Sequence, residues 1–262
     1  MISDNKFYRI DSLTLMAGAP IAVPEYKTTI RQPKIYEVAL LGEEKFYESL
    51  SLFRLNKKNF LNSIIRGKIG QDAINLTNFF YDKNESEIIL FLLFNNDLNK
   101  ESVQQMFTLI FDELLEIEFF ESEIKIKLQS GHETIINSNN FYIIKDIINQ
   151  IFFFEDGGSS SGYNPAKGAA EIIAKKLEER KRKLDQMKGE NSENKIGVIQ
   201  NYLTTLAIGS NNFNMQDLLN MTLYQVFKLM KKYSLYEQYQ MQVKALMAGA
   251  SDIELIDWTE EN

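Results

Sequence analysis

The chain lacks cysteine altogether. Disulfides, thiolate metal sites and cysteine nucleophiles are thereby excluded, and the absence fits a reducing compartment. Histidine is almost as scarce: His132 is the only one in 262 residues. A Ser-His-Asp triad could draw on that residue alone, and no Gly-X-Ser-X-Gly elbow presents a serine. The segment His132-Glu133-Thr134 begins like a zinc-protease motif but has no second histidine. Long apolar runs are missing too. The most apolar stretch, Glu87–Phe94 (EIILFLLF), is far short of the roughly 20 residues a membrane span needs, so it reads as a buried strand or helix segment. The first residues, MISDNKFYRI, form no apolar signal region, and no secretory route is implied.

Other chemistry fails on spacing. GYNPAKGA lacks the Gly-Lys-Ser/Thr ending of a phosphate loop, and GGSSSG lacks the strand and fixed glycines of a dinucleotide site. A calcium loop starting at Asp82 would have Glu87 where glycine is required and Leu93 where glutamate is required. Paired acids such as Glu43-Glu44 and Glu178-Glu179 fall on helices facing water, with no sign of a pocket to shift their pKa values. We expect no enzyme, no cofactor and no metal.

What is present is a core-forming composition. The hydrophobic fraction is 44% and the aromatic fraction 12%, enough to bury a core. Twenty-nine basic against 36 acidic residues give a net charge of −7, which argues against general nucleic-acid binding.

Periodicity sorts the chain into elements. The first thirty residues, with Pro20, Pro24 and Pro33 in or just beyond them, read as a short strand pair or an extended arm. Ile35, Val38, Leu41, Phe46, Leu50 and Phe53 keep helical spacing, interrupted near Gly42. Asn56–Gly70 reads as another helix; Phe79–Phe94 is ambiguous between helix and strand. Asn99 looks like the cap of a helix running to about Leu115. From Ile117 the period changes to two: Ile124, Ile126 and Leu128 alternate with Lys125 and Lys127. A turn at Gln129–His132 then predicts a β-hairpin, with His132 exposed in the turn. Asn139 or Asn140 caps a following helix.

Glu155–Asn164 (EDGGSSSGYN) is a Gly/Ser run that cannot bury apolar surface and reads as a linker. The expected organisation is a mixed α/β domain over 1–155, a linker over 156–163 and an all-α module over 164–262. The fold class is α+β, predominantly helical. Within the module, Asn164-Pro165 opens a helix reaching Lys188, Ile196–Ile208 forms a second, and Thr222 with Gln225 makes a capping box for a long third helix ending at Gly249. The tail Ala250–Asn262 carries five acids and no bases and is expected to be exposed.

Two surfaces could serve a partner. Between Asn164 and Gly189 there are eight basic and four acidic residues, including Lys175, Lys176, Arg180 and Arg182. This is either a solvated helix laced by pairs such as Glu179 with Lys183, or a docking face for an acidic partner or nucleic acid, the nucleic-acid version weakened by the missing aromatic interleaving. The other is an aromatic and methionine stripe on the last long helix: Tyr224, Phe227, Met230, Tyr233, Tyr236 and Tyr239, continued by Met241 and Met247. It is either core packing or a partner surface, for which Tyr and Met are well suited.

The segment LNMTLYQVFKLMKKYSLYEQYQMQVKALMAGASDIELIDW resembles the C-terminal signature of a family from tailed phages and prophages of Gram-positive bacteria. Shared features are the Asn-Met-Thr-apolar-Tyr-Gln helix start, a Tyr-rich helix, an Ala-Gly-Ala end and a Trp near the terminus. NPAKGAAEIIAKKLEERKRKLDQMKG and TTIRQPKIYEVALLGEEKFY extend the resemblance to about half the chain. The family is encoded among tail genes and is read as tail assembly chaperones. The resemblance therefore implies a non-enzymatic protein that binds the tape measure protein, or other tail proteins, in the host cytoplasm during assembly. It implies no membrane, leaves a homo-oligomer open, and carries no site residue by motif. The alternative is a structural tail or baseplate component of the virion.

Overall fold

The computed structural model describes residues 7–67, 71–112, 114–120, 122–152, 197–210, 212–249 and 254–259. Asp11 opens the first element by accepting the N–H groups of Leu13 and Thr14, and α1 (Ser12–Ala17) closes at Gly18 in the left-handed region. The expected strand pair follows: β1 (Ile21–Val23) pairs antiparallel with β2 (Thr28–Ile30) across a 3₁₀ turn at Pro24–Tyr26. Gln32 sits beneath it, donating to the carbonyls of Thr14 and Ala19.

Gly42, at φ 92°, splits the next helical run into α2 (Ile35–Leu41) and α3 (Glu43–Ser51), as the spacing implies. Then come α4 (Lys57–Gly67), α5 (Gln71–Tyr81) and α6 (Glu85–Phe94). The ambiguous stretch is thus helix–turn–helix. Asn84 decides it, because its side chain accepts Glu87 N–H while Glu87 reaches back to Asn84 N–H.

The next helix, α7 (Asp97–Ile110), begins two residues before the expected cap. Asn96 caps it, while Asn99 donates its amide to Leu92 O. It also stops short of Leu115, because Leu114 and Leu115 belong to β3 (Leu114–Phe119). β3 pairs with β4 (Glu123–Leu128), and β4 with β5 (Glu133–Asn137), so the expected hairpin is the second half of a three-stranded meander. Along β4 the alternation holds: Ile124, Ile126 and Leu128 are buried, while Lys127 pairs with Glu116 and Glu118 and Lys125 with Glu133. His132 is half-buried rather than exposed, and its carbonyl accepts Leu128 N–H across the turn.

Helix α8 (Phe141–Ile151) supplies the centre of the core. Its Phe141 stacks on Phe53 with centroids 5.9 Å apart, and Phe152 meets Phe46 edge-on at 5.0 Å. Asn140 precedes this helix but does not cap it. Its side chain accepts Asn137 N–H and donates to Ile135 O, which fixes the turn from β5 instead. Tyr26 joins the two sheets: its hydroxyl donates to Asn140 O, and its carbonyl accepts the Thr134 hydroxyl. Burial pushes that phenol up out of the ordinary tyrosine range.

The Gly/Ser run and the basic helix read from the sequence lie outside the described residues. Beyond them stand α9 (Val198–Gly209), α10 (Met215–Leu219) and α11 (Leu223–Met247). These pack on the N-terminal elements. Ile199, Leu203, Leu206, Leu218, Leu223 and Val226 belong to the same buried cluster as Ile35, Val38 and Phe46. Each such side chain contributes about 1.5–3 kcal/mol when fully buried. Polar contacts follow the same seam: Ile35 N–H donates to Met221 O at 2.8 Å, Glu43 accepts Ile199 N–H at 3.0 Å, and Gln225 donates to Met16 O at 2.8 Å. Among the described residues, no helix is long and apolar enough to cross a membrane.

Candidate interaction surface

Helix α11 is positioned by its first turn. Thr222 is buried and closes a capping box: its hydroxyl accepts Gln225 N–H, and the Gln225 carbonyl oxygen accepts Thr222 N–H at 2.7 Å. A bridge from Lys34 to Thr222 pins this corner to the start of α2. The helix then runs for 25 residues, about 37 Å at the α-helical rise.

Only its first third is docked. Leu223, Tyr224 and Val226 are its buried residues. Phe227 meets Tyr202 of α9 edge-on at 5.0 Å, and Met230 and Tyr233 lean on the core half-buried. Tyr233 lies across the end of α9, where Gly209 leaves it room. A Cβ there would stand 2.6 Å from the tyrosine Cζ and nearer still to its hydroxyl. Desolvation, then the neighbouring Glu237, raises the Tyr233 pKa.

Beyond Tyr233 no described residue of α11 is buried, although the sequence still holds Leu235, Tyr236, Tyr239, Met241, Val243, Leu246 and Met247. Tyr236, Met241, Leu246 and Met247 are exposed, Met241 by 60% and Met247 by 84%.

The C-terminal segment folds back onto this half. Trp258 packs edge-on against Tyr236 at 5.2 Å. Gln242 accepts Ile256 N–H at 2.9 Å, and the Lys232 ammonium donates to the carbonyls of Trp258 and Thr259, both at 3.2 Å.

The stripe read from the sequence is therefore divided by the fold. Tyr224 is a packing residue. Phe227, Met230 and Tyr233 serve the seam with α9, Tyr236 is exposed beside Trp258, and Tyr239 is half-buried. Lys175, Lys176, Arg180 and Arg182 lie outside the described residues. Sequence reading missed Lys232, Gln242 and Trp258 as a group. The one signal it offered was a lone tryptophan set in an acidic tail.

Two depressions lie elsewhere. One of about 390 Å³ runs between α2, α9 and α10 and is lined by Ile35, Val38, Ile199, Leu203 and Leu219. The other, about 490 Å³, opens beside β2 with Lys27, Thr28, Thr29, Asp112 and Ser130 at its wall. Among the described residues, no cluster of three or more histidine, aspartate or glutamate side chains could hold a metal ion.

Residues 191–261 match a family described as the YomV second domain, a domain of phage-derived proteins. The matched segment takes in α9, α10, α11 and the returning C-terminal residues. No curated protein and no solved structure matches the chain.

Proposed function

We propose that this chain is a non-enzymatic phage tail assembly chaperone that binds the tape measure protein, with the outer half of α11 as its docking element. The observation that carries the reading is that Tyr236, Met241, Leu246 and Met247, large apolar or amphipathic side chains in the outer half of α11, are left exposed by the core. A segment of the client would be held by packing against these side chains. Methionine and tyrosine suit the task, because one adapts its shape and the other adds contact area at low entropic cost. The phage-derived family match and the resemblance to tail-gene proteins support the same setting.

Co-expression with a tape measure protein tests this. The client is expected to become soluble and to co-purify with the chain. No gain in solubility and no co-purification would overturn the reading. Mass spectrometry of purified virions adds the other arm: the chain at fixed stoichiometry in particles would mark a structural tail or baseplate component instead.

A further inference from the structure

The C-terminal return over α11 is short, and its sequence does not account for its position. Residues 254–259 form no helix or strand, yet they make three separate kinds of contact with one face of α11. The aromatic anchor is Trp258 on Tyr236. The backbone is read by side chains, with Gln242 taking Ile256 N–H and Lys232 holding the carbonyls of Trp258 and Thr259. The segment's own shape is set by Asp257, which accepts both the N–H and the hydroxyl of Thr259.

These contacts are specific but shallow. Leu255 stays 44% exposed and Trp258 36%, so the segment is laid on the surface rather than built into the core. Charge favours it: α11 carries Lys228, Lys231 and Lys232 within five residues, and residues 254–259 carry Glu254 and Asp257.

We propose that residues 254–259 are a displaceable strap, occupying in cis the face of α11 that takes a partner segment of the same chemistry. That chemistry is an extended stretch with an aromatic side chain flanked by carboxylates. The inference rests on the reading of α11 as the docking element and adds how the site is regulated. A strap on the same chain acts at an effective concentration on the order of millimolar. It therefore keeps the Tyr236 face closed to weak or incidental ligands and yields to a client that makes further contacts along Met241–Met247.

The full chain can be tested without its client. The probe is a fluorescein-labelled peptide of residues 250–262, titrated into wild-type chain and into Trp258→Ala chain. Loss of the cis anchor is expected to tighten peptide binding at least tenfold, and Tyr236→Ala in the same background is expected to abolish it. Equal affinity for both chains, or no binding to either, would overturn the proposal. Trp258 is the only tryptophan, so its emission in unlabelled chain gives a second reading that needs no binding partner. In wild type it should lie at shorter wavelength than in the free peptide, and in Tyr236→Ala it should move to the peptide's value. Identical emission in chain and peptide also sinks the strap. If the strap holds and the tape measure protein is not bound, the face serves a different client, so the two failures are distinguishable.

Discussion

Thr222 and Gly209 fix how α11 meets the rest of the chain, and each can be tested by a single substitution to alanine. Thr222→Ala removes the hydroxyl that accepts Gln225 N–H at a buried helix start. A loss of about 1 kcal/mol is expected, read as a lower urea midpoint at unchanged slope. Gly209→Ala places a methyl where the Tyr233 ring lies. Forced repacking of this kind costs about 1–3 kcal/mol, and a thermal melt should show it, with Tyr233→Ala in the same chain recovering part of the loss. Tyr47 gives a pH signature. Burial first, then Glu43, pushes its phenol up to about 12, against an ordinary value near 10. Its folded pKa is raised, so its contribution is complete below pH 10 and is lost as pH rises from there toward 12. Alkaline unfolding followed by circular dichroism should begin in that window, and Tyr47→Phe should weaken the dependence.

Among the elements, one ion pair ties three helices together. Glu85 at the start of α6 accepts Lys57 N–H of α4 and pairs with Lys145 of α8, which also donates to Leu55 O. Lys145 is only 13% exposed, so the group is partly desolvated. Lys145→Met takes the donor from the Leu55 carbonyl and from Glu85 Oε2, and about 1–3 kcal/mol of stability should be lost, again measurable by urea unfolding.

The elements also show what could be read from sequence. Strand β4 was legible because its isoleucines and lysines alternate and the solvent side is wet. The capping box at Thr222 was legible because both partners lie within four residues. The start of α7 was not, since Asn96 and Asn99 are equally good caps on paper and only the position of Leu92 O assigns Asn99 elsewhere. The end of α7 was missed because Leu114 and Leu115 continue a helical stripe that the meander claims for β3. Asn140 looked like a cap, but its side chain is taken by the preceding strand.

For the whole molecule, the sequence pattern divides the chain at a Gly/Ser run, while the described residues on either side share one buried cluster. That long-range packing leaves no periodic trace, because Ile35 and Leu218 are as apolar as any core pair within one element. The same holds for the candidate site. A stripe of Tyr and Met on α11 was visible, but only the packed structure separates its docked third from its outer half. The clasp joining Lys232, Gln242 and Trp258 spans up to 27 residues and has no local signature. One consequence is cooperative unfolding: far-ultraviolet dichroism and tyrosine absorbance should trace a single coincident urea transition, whereas two separated transitions would mean that the seam at Met221–Thr222 is not integral to the fold.

The account stands or falls on where a client touches the chain. Hydrogen exchange of the full chain, alone and with tape measure protein, measures this directly. New protection is expected over residues 231–247, together with loss of protection over 254–259 as the strap is displaced. Protection confined to the β3–β4–β5 sheet or the α2–α9–α10 depression, with α11 unchanged, would contradict it.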